Sequence, residues 1–423
     1  MNNFLSKLSL VFKDATLRKR IIFVFAALAV FRLLAVIPIP GVDAFQLDQF
    51  FSGNQFLGLL NIFSGGGLSN LSIVMLGVAP YITSSIIMQL LTIMSPKLKA
   101  IYQEEGEAGR KKFSQYSRLI TIPLAFMQGF AFLTLLTRQG IVPDLGMFGL
   151  ITNVLVIAAG SILLMWIGEL ISEFGIGNGV SLIIFAGIVA GLPSTINQLI
   201  FTFDVSQIPL YLGFIVAGLL ITAGVVVVTE AERPIPITYA KRVRGMKQYG
   251  GISTYLPLRV NQAGVIPIIF ALSILLFPQM ILNFVVNVDS QIIASISSFI
   301  LRILENGWIY GAIYFLLVFL FTYFYTAVTF DPDSIATNLQ KSGAFVPGVR
   351  PGRTTSEYIG KILTRITLVG ALFLGLIAVI PLGMQAITGV TALAIGGTAL
   401  LIAVSVVIDL VRKIEAQISM REY

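Results

Sequence analysis

The sequence predicts an all-α polytopic membrane protein: ten transmembrane helices in two inverted five-helix halves, with both termini in the cytoplasm. Three observations predict it. The chain is 56% hydrophobic and only 11% charged, against roughly 25% charged in a typical soluble domain. Its apolar residues gather into ten runs close to the length of about 20 that a helical span requires. Its 28 Lys and Arg residues fall almost entirely in alternate gaps between those runs, and by the positive-inside rule that alternation fixes the orientation. A soluble fold of this size is excluded.

Taken in order, Phe4, Leu8, Val11, Phe12 and Ala15 recur at helical spacing while Lys7, Lys13 and Asp14 point elsewhere, which predicts a helix lying in the cytoplasmic interface. The N-terminal half, residues 1–200, then carries apolar runs at 21–37, 71–94, 119–136, 151–171 and 180–200. The basic flank of the first run resembles a signal peptide. The run continues into Pro38-Ile39-Pro40-Gly41 without a small-residue cleavage site, so it reads as a retained span. The C-terminal half, residues 201–423, carries runs at 208–228, 265–286, 308–328, 366–382 and 390–408. An odd number of spans per half turns the second half upside down relative to the first, which suits a pathway along their interface. Ten spans without internal symmetry fit the same count.

Five basic residues precede the first run, six lie in each of the second and sixth gaps, four in the eighth, and three follow the last run. Only Arg138 and Arg302 lie in odd-numbered gaps, and Arg32 and Arg365 sit within or beside apolar runs. The fourth gap holds Glu169 and Glu173 and no basic residue. The net charge of +8 is therefore concentrated on one face of the membrane, where anionic lipid head groups, an acidic partner or ribosomal RNA could meet it. With no cysteine and no histidine, disulfides, thiolate metal sites, the commonest metal ligand and the usual proton relay are all excluded.

Three gaps carry more than charge. The stretch 56–94 is too long for one crossing and is broken at Ser64-Gly65-Gly66-Gly67. Consecutive glycines are costly in a helix, so a short turn or helix near 68–72 is expected to enter the membrane and join the second span. Irregular backbone at membrane depth survives only beside protein or water, which implies a water-filled cavity there. A flexible outer loop is the plainer reading of the glycines. In the eighth gap, Asp331 can cap a helix that starts with Pro332, holds Lys341 in its last turn and stops at Gly343. The stiff tip that follows, Phe345 to Arg353, holds Arg350 outward, and a lipid phosphate could meet it as well as a partner could. The sixth gap alternates like a strand at 233–239 and again at 252–258. Between them Lys241, Arg242, Arg244 and Lys247 surround Gly245 as the tip of a hairpin, although such charge more often marks a plain solvated face.

These residues carry a resemblance over nearly the whole chain. The sequence resembles the SecY/Sec61 alpha family through Ile37-Pro38-Ile39-Pro40-Gly41, Phe63-Ser64-Gly65-Gly66, Pro80-Tyr81-Ile82 with Ile86, and Gly175-Ile176-Gly177-Asn178-Gly179. Tyr239-Ala240-Lys241-Arg242, Leu256-Pro257-Leu258, Asn261 with Ala263-Gly264-Val265-Ile266-Pro267, and the run 341–352 extend it. The chain departs from the family in its short tail, its third consecutive glycine and its unbasic fourth gap.

The resemblance implies a protein-conducting channel in the cytoplasmic membrane of a bacterium. It would pass unfolded secretory polypeptides through a central hourglass pore and release hydrophobic segments sideways where the second and seventh spans part. It implies a pore ring of Ile82, Ile86, Ile184, Ile188, Ile274 and Ile402, and a plug of Gly65, Gly66, Gly67, Leu68, Ser69, Asn70 and Leu71. Arg350, Lys241, Arg242, Arg244 and Lys247 would meet the SecA motor or the ribosome. Further implied partners are the SecE and SecG subunits, signal-sequence-bearing polypeptides, anionic lipids, and SecDF and YidC. The resemblance implies neither a cofactor nor a metal. Isoleucines suit such a ring because they offer no hydrogen bond or charge to a passing chain and keep a narrow collar dry, although without the resemblance they would read as core packing. No Walker-type loop appears in the sequence, so the driving energy must come from outside.

Two other readings are open to the sequence. Inverted halves and broken helices also mark secondary solute transporters, which normally place a coupling carboxylate at mid-membrane. Here Arg32 is the only obvious intramembrane charge. Gly175-Ile176-Gly177-Asn178 resembles the glycine-rich motif of intramembrane aspartyl proteases, but with asparagine in place of the aspartate, so general acid-base machinery is missing.

Overall fold

The computed structural model describes residues 14–40, 64, 66–68, 70–103, 105–138, 140, 142–143, 146–201, 208–240, 242–244, 247–249, 253–285, 295, 297–300, 303, 306–388 and 391–419. The first expected element, the interfacial helix, lies outside them up to Lys13. Twelve helices among the described residues carry the fold. They are α1 (Ala15–Leu34), α2 (Ala79–Met94), α3 (Pro96–Gln103), α4 (Gly106–Arg138), α5 (Gly146–Phe174) and α6 (Gly179–Phe201). The second half adds α7 (Ile208–Glu230), α8 (Ile266–Val285), α9 (Gly307–Thr329), α10 (Pro332–Lys341), α11 (Arg353–Thr388) and α12 (Thr391–Ser419).

Side chains fix several helix starts by accepting hydrogen bonds from first-turn N–H groups. Asp14 accepts from the Thr16 N–H at 2.9 Å and Asn306 from the Trp308 N–H at 3.1 Å. Asp331 accepts from the Asp333 N–H at 3.0 Å, with Pro332 in the first turn and Lys341 in the last, so α10 obeys the signals read from its sequence. By length and composition, five helices among the described residues can cross a membrane: Gly106–Thr137, Gly146–Phe174, Tyr211–Glu230, Gly307–Lys341 and Arg353–Ile380. This is a multi-pass membrane protein.

The apolar runs and the helices differ where polar sequence continues a helix or tertiary contacts end one. α11 starts 13 residues ahead of its apolar run, at Arg353 instead of Ile366. The second run was expected to be helical from Leu71, but turns occupy 71–78 and the helix starts at Ala79. α3 in the second gap was not anticipated.

Within the first half α4 packs on α2 and α5, and α5 on α6 and α1; within the second, α11 packs on α9 and α12, α9 on α8, and α12 on α7. Among the described residues the halves meet chiefly at α8 against α2 and α4 and at α12 against α6, and Leu17 of α1 also packs with Ile418 of α12. The largest buried cluster lies between these seams and draws on both halves.

Below the helix ends, β1 (Glu232–Tyr239) pairs antiparallel with β4 (Ser253–Arg259) from Glu232 opposite Arg259 to Thr238 opposite Ser253. β5 (Ala344–Phe345) pairs with the other edge of β1 only at Thr238 and Tyr239. Pro234 and Pro236 therefore sit where that edge of β1 has no partner strand, the position in which a sheet tolerates proline. β2 (Arg242–Arg244) and β3 (Lys247–Tyr249) form the hairpin expected at the tip.

Candidate functional site

Ile82 and Ile86 on α2, and Ile184 and Ile188 on α6, are spaced four apart and so share a face of each helix. With Ile402 of α12 they lie in one buried cluster, at exposures of 7%, 3%, 1%, 7% and 1% respectively. Ile274 is half-buried and stands outside that cluster. The α8 members are its neighbours Ile268, Ile269, Phe270, Ala271, Leu272 and Leu275.

A cavity of about 670 Å³ abuts the cluster, sharing Ile82, Ile184, Ile269 and Phe270 with it. Its other walls carry charged and hydroxyl side chains beside Val180 and Ile266. Arg118 of α4 pairs with Glu169 of α5, and Glu173 and Lys413 complete the charged lining. Ser84 of α2 donates to the Ser117 carbonyl of α4, so polar contacts join α2, α4 and α5. On the facing side, Phe270 meets Phe321 and Tyr325 edge-on at 6.0 and 6.2 Å, joining α8 to α9. Edge-to-face rings at this separation are favourable beyond their burial. The seam of α8 with α2 and α4 thus runs between two tied groups.

The described residues between Ser64 and Val78 form turns, held in part by the chain that follows α1. Ile39 N–H donates to Leu71 C=O and Ile73 N–H to Ile37 C=O, each at 2.9 Å, and Asn70 Nδ2 reaches the Ala35 carbonyl at 3.4 Å. Gly66 has φ +81° and Leu71 φ +41°, conformations that glycine adopts freely and leucine rarely. A Cβ on Gly66 would lie 3.5 Å from a guanidinium nitrogen of Arg32, and one on Gly67 only 2.8 Å from Ser72 Oγ. Leu68, Leu71 and Met75 pack with Ile39, Phe132, Leu136 and Ile157 in a second cluster, while Val74 belongs to the isoleucine cluster. The segment touches both. Gly65 and Ser69 lie outside the described residues.

The two basic loops share one core. Ile235 and Leu258 of the sheet, Val346 of the tip, and Ile359 and Ile366 of α11 form a third cluster. Arg350 is exposed, and its carbonyl accepts Thr355 Oγ1 at 2.8 Å. Arg242, Arg244 and Lys247 lie on the β2–β3 hairpin, while Lys241 is outside the described residues.

A family model described as SecY matches residues 72–411. A "Protein translocase subunit SecY" from Streptomyces scabiei is 41% identical over 431 residues, covering 97% of each chain. The chain belongs to the SecY family. The SecY relatives from Corynebacterium glutamicum and Mycobacterium tuberculosis are 41% and 40% identical, again covering 97% of both chains. The fold matches a solved structure described as "The structure of a protein conducting channel" with TM-score 0.64 at 19% identity, covering 96% of this chain and 93% of that one. Sec61 in a canine ribosome-channel complex matches with TM-score 0.60 at 18% identity, with the same coverage.

The SecY motif at 175–179 has a structural cause. Asn178 caps α6, its Oδ1 accepting from the Val180 and Ser181 N–H groups at 3.1 and 3.4 Å. Gly179 N–H donates to Ser172 Oγ at 2.8 Å, and Gly177 has φ +97°. A Cβ on Gly179 would overlap the Gly168 carbonyl oxygen, so the motif lets the α5–α6 corner close backbone to backbone. Nothing there resembles protease chemistry. Gly179→Ala is expected to cost about 1–3 kcal/mol through overpacking, read as a lowered Tm in detergent, whereas Gly191→Ala, whose Cβ meets nothing within 4 Å among the described residues, should not lower Tm.

Proposed function

We propose that this chain is the central, pore-forming subunit of a bacterial protein-conducting channel in the cytoplasmic membrane, passing unfolded polypeptides across and releasing hydrophobic segments sideways into lipid. The observation that carries the reading is the presence of five isoleucines from α2, α6 and α12 in one buried cluster with a partly charged cavity against it, in a chain about 41% identical to translocase subunits. Such a collar grips no side chain and excludes ions when dry. The ring is completed by Ile274, and the segment Gly65 to Leu71 is its plug.

Ten spans in two inverted halves, residues 1–200 and 201–423, with both termini cytoplasmic, place the basic loops on the cytosolic side. Lateral release uses the seam of α8 with α2 and α4. An apolar helix leaving water for lipid gains roughly 25 cal/mol per Å², so the channel has only to open. Energy for soluble segments comes from SecA or a ribosome docked on Arg350 and the hairpin tip at Lys241, Arg242, Arg244 and Lys247. SecE, SecG, signal-sequence-bearing polypeptides and anionic lipids are the other partners, with SecDF and YidC further out. The solute-transporter alternative finds no support among relatives that are protein translocase subunits.

The test is photocrosslinking of a stalled secretory chain to probes at Ile86, Ile188 and Ile274. Adducts at all three are expected. Adducts at none, with uptake of a small solute by the protein alone, would overturn the reading.

A further inference from the structure

The two cytoplasmic loops form a single body, and that body runs into α8 without slack. β1 holds β4 on one edge and β5 on the other, Ala240 N–H donates to Gly343 C=O at 2.9 Å, and the third cluster fills the space between sheet, tip and α11. β4 ends at Arg259 and α8 begins at Ile266. The link between them is short, and alternate residues of it are buried. Val260 N–H donates to Ala231 C=O at 2.9 Å, Asn261 is 6% exposed and Ala263 2%, and Gly264 turns the chain at φ +61°.

One residue of another helix determines how this link sits. Gly370 is buried on α11, and a Cβ there would lie 2.6 Å from the Val260 carbonyl oxygen and 3.9 Å from Asn261 Cα. Real Cβ atoms do not approach an oxygen so closely, and the atom in the way is main chain, which cannot swing aside as a side chain does. The exit of the sheet is therefore seated directly on the backbone of α11, one link before the helix that forms the seam with α2 and α4.

We propose that Gly370 is a positioning residue whose missing side chain makes the Val260–Asn261 seat a pivot. Load applied to the cytoplasmic body turns about this seat and moves α8 at the seam. The inference rests on the channel reading above. It explains why a glycine stands in the middle of a long apolar helix, where it costs about 1 kcal/mol relative to alanine. A body held by three strands and its own core passes on displacement instead of absorbing it, because packed interiors deform little.

The test uses the full chain reconstituted with its companion subunits and SecA, comparing Gly370→Ala with Gly383→Ala. Both glycines are on α11, but a Cβ on Gly383 meets nothing within 4 Å among the described residues. Gly370→Ala is expected to bind the motor within twofold of the unaltered chain and to lose about tenfold in polypeptide moved per ATP hydrolysed. Gly383→Ala should lose nothing. A second variant covers the case in which Gly370→Ala does not fold: two glycines inserted after Gly264 leave the seat intact and slacken the link, and the same loss per ATP with docking retained is expected. Normal coupling in a folded Gly370→Ala, or in the insertion variant, overturns the pivot. If the unaltered chain moves no polypeptide, it is the channel reading that fails instead.

Discussion

Arg350→Glu is expected to abolish motor-driven secretion while leaving the chain inserted and folded. Arg350 is exposed at the end of a stiff tip, whereas the contacts that hold the tip use other atoms. Val346 is buried in the third cluster, and the Arg350 main-chain carbonyl, which glutamate retains, is what Thr355 Oγ1 meets. The change therefore acts on what docks there. Two unit charges 4 Å apart interact by about 1 kcal/mol in water and about 4 kcal/mol at an interface with an effective dielectric near 20. Reversing the sign turns attraction into repulsion of similar size, so the swing is up to twice that. At about 1.4 kcal/mol per factor of ten, several decades of motor affinity would go. ATP-dependent translocation into vesicles measures the effect, with Tm as the check on folding. Undiminished translocation would remove Arg350 from the docking surface.

Ile402→Asn, and separately Ile82→Asn, are expected to raise resting ion leakage through the reconstituted channel by at least tenfold. Ile402 is 1% exposed and Ile82 7%, both inside the central cluster. A buried amide without partners costs about 2–7 kcal/mol, which water entering the collar relieves. Hydration that lowers the barrier to an ion by about 1.4 kcal/mol raises its flux tenfold. Planar-bilayer conductance without substrate is the measurement, and an unchanged current would take these residues out of the ring.

How much of this was legible in the sequence depends on which force fixes each element. Helices held by apolar patterning and local caps were. α10 follows Asp331, Pro332, Lys341 and Gly343 residue by residue, and the β1–β4 pair follows the alternation at 233–239 and 252–258. Residues 71–78 were not, because an apolar stretch reads alike whether it is helix or buried turn. Main-chain bonds with Ile37 and Ile39, turn bonds within the segment and the packing of Leu71 and Met75 hold it out of helix, with Leu71 at φ +41°. The early start of α11 did leave a signal, since Ile359, Ile362 and Ile366 recur at helical spacing and pack in the third cluster, but the polar residues between them obscured it. Ile82 and Ile86 have the spacing of any buried helix face, so the resemblance, not periodicity, singled them out. Gly370 was legible only as a glycine, because what it accommodates is the Val260 backbone far away in sequence.

If the segment Gly65 to Leu71 is the plug proposed above, the bonds between the chain that follows α1 and the residues at its end bear on how the resting seal is regained. One main-chain hydrogen bond ties Ile39 to Leu71 and a second ties Ile37 to Ile73 just beyond the segment, and at about 0.5–1.5 kcal/mol net each they would resist its withdrawal by about 1–3 kcal/mol beyond its packing. A passing polypeptide can overcome a restraint of that size. Once the polypeptide had left, the same bonds would re-form and favour the seated plug with no input of chemical energy, so on this reading no dedicated closing step is needed.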